Sequence, residues 1–228
     1  MVIFKNMNTL KALEIELQQD LILPDEVQVT GFLGRGRRSF SYKGEYNRKD
    51  VVIKVYRKEF IEKYRRKCNI DIAEFEFERN SILYAIDAIR PYIAIPYKKF
   101  PHGSGFTHSF VQEYVDGITL KQLIFRSGYL PEEVLAAGYE IVRSAEAYGV
   151  HDIDISMANI IVIQRKGVWM PRLYDFNILP QHMSPPNPFI AFGIKAGLSK
   201  KSRRDYRSLR SWKRAGEQQQ LSGTAVRD

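Results

Sequence analysis

Residues 27–56 constrain the fold most: they read VQVTGFLGRGRRSFSYKGEYNRKDVVIKVY. Runs rich in β-branched and aromatic residues are separated by a Gly-rich turn and by a polar turn at 47–50, which predicts a three-stranded antiparallel meander. The Gly-rich turn thus joins strand to strand. A dinucleotide-binding loop opens a helix, and a Walker A loop ends in Gly-Lys-Ser/Thr, so neither is present. Gly34 and Gly36 let the backbone approach a polyphosphate closely, with N–H groups turned toward it. Taken alone, the same pattern also fits a plain surface hairpin.

Elsewhere, apolar spacing predicts a helix over residues 10–21 and one long helix over 58–89, with Phe75, Ile82, Leu83 and Ile86 at helical intervals and Pro91 at its end. Strands are expected at 92–100 and 106–115, flanking the His102-Gly103-Ser104-Gly105 turn. Pro131-Glu132-Glu133 reads as a helix start, followed by Val134, Leu135, Ile141, Val142 and Ala145 on the buried face. A polar loop over 149–159 leads into a strand at 160–163, a turn at Lys166-Gly167 and a strand ending at Tyr174. Four prolines between 180 and 188 argue against regular structure there, and 202–214 reads as a basic helix before a polar tail. The expected class is α+β.

Chemistry concentrates in HDIDISMAN, residues 151–159, and in YDFN, residues 174–177. Asp154, Asn159 and Asp175 offer three oxygen-bearing groups on loops that flank one hairpin, and such oxygens suit Mg²⁺ with phosphate and water completing its shell. Each of them, taken singly, also fits an ordinary turn at a strand end.

The order of these pieces resembles the protein kinases. LGRGRRSFSYKGEYNRKDVVIKVYR looks like the Gly-rich loop and third strand, FVQEYVDGITLKQL like the segment between the lobes, DIDISMANIIVI like the catalytic loop and LYDFN like the metal-binding motif. The resemblance runs from about residue 27 to 177. It implies a two-lobed protein-kinase-like fold: an antiparallel-sheet N-lobe over 1–115, a reduced, mainly helical C-lobe over 116–194, and a basic segment over 195–228. It further implies that Gly34, Gly36 and Ser39 cover ATP, that Lys54 holds its phosphates, and that Glu78, with Glu74 in reserve, pairs with Lys54. Glu113 to Val115 would meet adenine through backbone groups. Asp154 would orient or deprotonate the acceptor hydroxyl, and Asn159 and Asp175 would hold Mg²⁺.

Departures accompany it. Ser39 replaces the third loop glycine, Asp152-Ile153 stand where His-Arg is usual, Ser156 stands for Lys, and Asn177 for the glycine after Phe176. The catalytic set is complete, which favours an active ATP-dependent phosphotransferase over a non-catalytic kinase-fold regulator. Only 51 residues follow Asn177, and no Ala-Pro-Glu motif is among them. That short ending resembles the bacterial lipopolysaccharide core (Kdo and heptose) kinases and the YrbL group of the PhoP network, and implies a core sugar or other membrane-associated glycan as acceptor. A Ser/Thr protein kinase is the alternative.

Charge points the same way. The chain carries 35 Lys and Arg against 26 Asp and Glu, and residues 190–214 hold nine of those cations with one acid, Asp205. Tyr206, Leu209 and Trp212 at three-residue spacing suggest an aromatic stripe, so residues 195–214 are expected to meet an anionic membrane surface. An RNA-binding arm has the same composition and the sequence does not separate the two. One cysteine, Cys68, allows no internal disulfide, and no apolar run reaches transmembrane length. A cytoplasmic protein, peripheral at the inner face of the membrane, is the expectation.

Overall fold

The computed structural model describes residues 26–102, 106–176, 180–183, 185 and 187–224. The expected helix over 10–21, the tip of the turn at 103–105 and Asn177 lie outside them. The fold is α+β.

The meander forms as β1 (Val27–Arg35), β2 (Ser39–Tyr46) and β3 (Lys49–Tyr56). Two further strands, β4 (Pro96–His102) and β5 (Phe106–Glu113), complete an antiparallel sheet of order β1-β2-β3-β5-β4. Alternation along β3 sends Val51 and Ile53 into one apolar cluster with Tyr42, Phe100 and Val111. It sends Lys54 and Tyr56 toward the helices that cover the other part of the sheet.

The long helix expected over 58–89 is two helices, α1 (Lys58–Cys68) and α2 (Ile72–Ala85). Asn69 takes the left-handed conformation at φ 52°, closing α1, and the Asp71 carboxylate then caps α2 by accepting from the Ala73 and Glu74 N–H groups at 3.1 Å. The other Asp71 oxygen accepts from Thr107 N–H at 2.6 Å and fastens α2 to β5. Asn-x-Asp is a cap pair, and an apolar count alone reads through it.

After β5 the chain forms β6 (Ile118–Thr119), α3 (Leu120–Ser127), α4 (Glu132–Ala147), β7 (Ile160–Arg165), β8 (Val168–Leu173), α5 (Pro188–Lys195) and α6 (Arg203–Thr224). Strands β6, β7 and β8 make a second antiparallel sheet. The largest apolar cluster joins α3, α4, β7 and β8 to Leu83 at the end of α2 and to Ile86, Ile89 and Ile93 beyond it. The segment that leads into β4 is also tied to the second sheet, because Ala94 N–H donates to the Leu173 carbonyl of β8 at 2.9 Å.

Helix α6 corrects the sequence reading of the basic segment. Leu209 and Trp212 are fully buried against α4 and are no interfacial stripe. Gly138 of α4 makes room for them: a Cβ there would stand 2.6 Å from Trp212 Cζ3 and 2.8 Å from Leu209 Cδ2. Among the described residues, no helix is long and apolar enough to cross a membrane.

Candidate functional site

A cleft of about 670 Å³ lies beneath the β1–β2 turn. Its walls bring together Gly34, Gly36, Ser39, Lys54, Glu113, Val115 and Asp175, which the sequence distributes over 140 positions. Thr119 and Gln122, the capping box of α3, close the opposite side. The turn is tight at Gly36, whose N–H donates to the Ser39 carbonyl at 2.8 Å, and a Cβ on Gly36 would sit 3.2 Å from that oxygen. Arg35 also lines the cleft and adds positive charge beside the glycines.

Lys54 is the charge at the floor. Pairing of β2 with β3 and of β3 with β5 holds its backbone on both sides, and its ammonium donates to Glu76 of α2 and to Asp175 Oδ1 at 2.5 Å. Burial alone would lower the Lys54 pKa, but the Asp175 and Glu76 carboxylates outweigh it and hold the amine above its ordinary value. Burial also pushes the Glu76 carboxyl up, against the pull of Lys54. Burial acts on Asp175 in the same sense, yet Lys54 overcomes it and Asp175 stays below the usual carboxylate range. Asp175 keeps 41% of its side chain exposed, so one face remains open to a ligand.

The helix partner is therefore Glu76, in place of the expected Glu78 or its reserve Glu74. Both of those sit on the other side of α2, beside Lys99: Glu74 pairs with it, and Glu78 lies 3.8 Å away. The buried face of α2 is Ile72, Ala73, Glu76, Arg79, Asn80 and Leu83, a 3.6-residue repeat that puts Glu76 inward. Phe75 and Ile82, on which the sequence reading leaned, lie off that face, and Ile82 is exposed. The signal that finds Glu76 is its position four residues after Ile72, three after Ala73 and seven before Leu83.

Glu76 also accepts a hydrogen bond from the Tyr56 hydroxyl. Glu76→Ala removes the acceptor of two buried donors and is expected to cost about 2–3 kcal/mol in urea unfolding. Glu78→Ala should stay within about 0.5 kcal/mol, as exposed substitutions do. Equal losses in the two variants would place the buried ion pair elsewhere.

Asp154 and Asn159 stand on the adjoining loop, outside the lining of the cleft. Asn159 Nδ2 donates to the Asp154 carbonyl at 3.0 Å, and Asn159 O accepts from Tyr174 N–H at 3.2 Å, which sets this loop beside Asp175. Burial raises the Asp154 pKa, Arg204 opposes the rise and the charge of Asp175 adds to it. Asp152 and Asp154 both adopt positive φ, 57° and 61°. That strained loop is held from several sides. Arg79 donates to the His151 carbonyl at 2.8 Å, Trp212 to the Ile155 carbonyl at 3.1 Å, and Ile153 N–H to Asp205 at 3.2 Å. Burial and the neighbouring Asp152 push Asp205 up to about 7.

The sequence reading missed Glu76, Arg79 and the buried Gln112, whose amide donates to the Tyr174 carbonyl at 2.7 Å just before Asp175. Polar side chains on a buried face leave no hydropathy signal. The Glu113 carboxylate pairs with Arg172 and accepts from Ile95 N–H, so this residue offers the cleft its backbone.

For Mg²⁺ the donor chemistry fits. Asp175 and the Asn159 Oδ1 are hard oxygen donors, and the Asn159 nitrogen is already committed to the Asp154 carbonyl. Among the described residues no group of three or more His, Cys, Asp and Glu converges as a metal cage, so an ion here would take most of its shell from phosphate and water. A scan against protein-family models and a search of curated proteins found no match to this chain.

Proposed function

We propose that this chain is a kinase-like phosphotransferase that moves the γ-phosphate of ATP to a hydroxyl group, in a two-lobed protein-kinase-like arrangement. The observation that carries the reading is Lys54, a buried ammonium bridging Glu76 and Asp175 at the floor of a cleft roofed by a glycine turn. A buried ammonium held in this way suits a polyphosphate: Lys54 meets two phosphates while Glu76 keeps it in place. The adenine lies against the backbone of Glu113 to Val115. Asn159 and Asp175 hold Mg²⁺, which when bound neutralises phosphate charge. Asp154 orients or takes the acceptor proton, and its raised pKa suits that task. Positioning and electrostatics supply the rate, since phosphoryl transfer needs little covalent help from protein.

The acceptor class we favour is a lipopolysaccharide core sugar or another membrane-associated glycan, because the excess of positive charge lies in residues 190–214, beyond the cleft residues. A Ser/Thr protein kinase and a non-catalytic regulator are the other readings. Mg-ATP at a hundredfold excess over Kd should stabilise the protein by about 2.7 kcal/mol and raise its Tm by several degrees. Lys54→Met and Asp175→Asn should abolish the rise. A wild-type protein that shows no shift would overturn the nucleotide reading. Label from ATP entering protein instead of glycolipid in a cell extract would overturn the acceptor.

A further inference from the structure

Helix α5 is apolar and has no buried residue: it reads PFIAFGIK, with Phe189 88% exposed and Phe192 67% exposed. The two rings are three residues apart and share a face of the helix. Leu198, just beyond, is 78% exposed. Single exposed apolar residues are ordinary, but an exposed helix that is apolar nearly throughout needs a non-aqueous neighbour. The Asn187 side chain caps α5 by accepting from Ile190 N–H at 2.9 Å, and Pro188 follows at the first helical position, so the helix is a formed element.

Its surroundings are cationic. Leu198 shares a niche of about 350 Å³ with Ser199, Lys200, Arg203, Tyr206 and Arg210, three cations with no acid in the lining. Lys195, Lys200, Lys201, Arg203 and Arg210 make no ion pair among the described residues. Lys200 lies 5.4 Å from the centre of the Tyr206 ring, which supports the wall of the niche.

We propose that α5 and the Lys200–Arg203–Arg210 niche together form a docking surface for an anionic lipid membrane, with Phe189, Phe192 and Leu198 entering the headgroup boundary and the cations meeting lipid phosphate. Charge complementarity selects this occupant. Protruding aromatic and aliphatic side chains beside unpaired cations suit an apolar interior beneath an anionic surface. This replaces Leu209 and Trp212, which are buried, as the apolar part of the contact.

The surface is coupled to the candidate site through the chain itself. Gln181 N–H donates to the Asp152 carboxylate at 2.7 Å, and Arg204 reaches the same oxygen at 3.3 Å. The excursion that carries α5 therefore leaves from and returns to Asp152, two residues before Asp154. A membrane held by α5 is held at the loop that presents Asp154. Lipid docking itself does not depend on the catalytic reading, and it is measured without nucleotide.

The full chain should sediment with phosphatidylcholine–phosphatidylglycerol vesicles and bind pure phosphatidylcholine vesicles roughly 100-fold more weakly. Phe189→Ser/Phe192→Ser should weaken binding to the anionic vesicles by about 10–100-fold, and Lys200→Glu/Arg203→Glu by a similar factor that shrinks as salt rises. Unchanged Tm in both variants shows that the fold is intact, and the Mg-ATP shift should persist in them. The proposal is overturned if the Phe variant binds vesicles like wild type, or if the wild type binds none. It is equally overturned if the protein binds RNA in place of vesicles, or if Phe189 and Phe192 instead hold a dimer that the variant dissociates.

Discussion

Asp154→Asn is expected to retain the Mg-ATP thermal shift and to lose phosphate transfer by roughly 10²–10⁴-fold, the range for removing a positioned general base. Asparagine is the informative replacement because Asp154 sits at φ 61°, where Asn is tolerated and Ala is strained. The Asn159 amide bonds the Asp154 backbone carbonyl, so the loop keeps that anchor when the carboxylate is gone. Asp154 is also absent from the lining of the cleft proposed to take ATP, which separates binding from transfer. Transfer at the wild-type rate would remove Asp154 from the mechanism. A lost thermal shift would mean that the carboxylate serves binding instead.

Trp212→Ala is expected to cost about 3–5 kcal/mol of stability, read from urea unfolding. The indole is fully buried against α4, over Gly138, and its N–H donates to the Ile155 carbonyl at 3.1 Å. Truncation leaves a large void and takes the donor from a buried carbonyl next to Asp154, so two separate penalties add. A loss under about 1 kcal/mol would place the ring at the surface. Phe189→Ser on α5 is the contrast, since that ring is exposed and its loss should leave the unfolding midpoint unchanged.

The parts of the molecule that were legible in the sequence are those with a local cause. The meander follows from β-branched runs broken by glycine and by an Asn-Arg turn at φ 50° and 59°. Helix α4 begins where Pro131 and two glutamates say it should, and Val134, Ile141, Val142 and Ala145 are its buried face. The β7–β8 hairpin turns at Lys166-Gly167. Two helices were missed although their signals were present: Thr119 and Gln122 are a capping box with Gly128 closing α3, and Asn187-Pro188 starts α5. The proline cluster at 180–188 masks the second, because the same prolines that oppose regular structure include the one that opens α5.

Within the candidate site, Gly34, Gly36, Ser39, Lys54, Val115 and Asp175 were named from motif order and meet in one cleft. The partner of Lys54 was not, because three glutamates alternate with other residues over 74–78 and each is a plausible helix position. Choosing among them requires the orientation of α2, which is set by Ile72 and Leu83 packing and by the tie from Asp71 to β5.

By itself the sequence determined every strand except the two-residue β6, the starts of α1, α4 and α6, and the residues that can carry chemistry, since propensity, caps and turn residues act within a few positions of the chain. Only the tertiary structure decided which side of α2 and α6 is covered and that α5 is not. That choice put Glu76 and Trp212 inside and left Phe189 and Phe192 in solvent, the reverse of what residue type alone suggests for a glutamate or a phenylalanine. The physical reason is that burial belongs to pairs of surfaces: a carboxylate enters the interior where an ammonium and a hydroxyl meet it, and an apolar helix stays outside where no element among the described residues covers it.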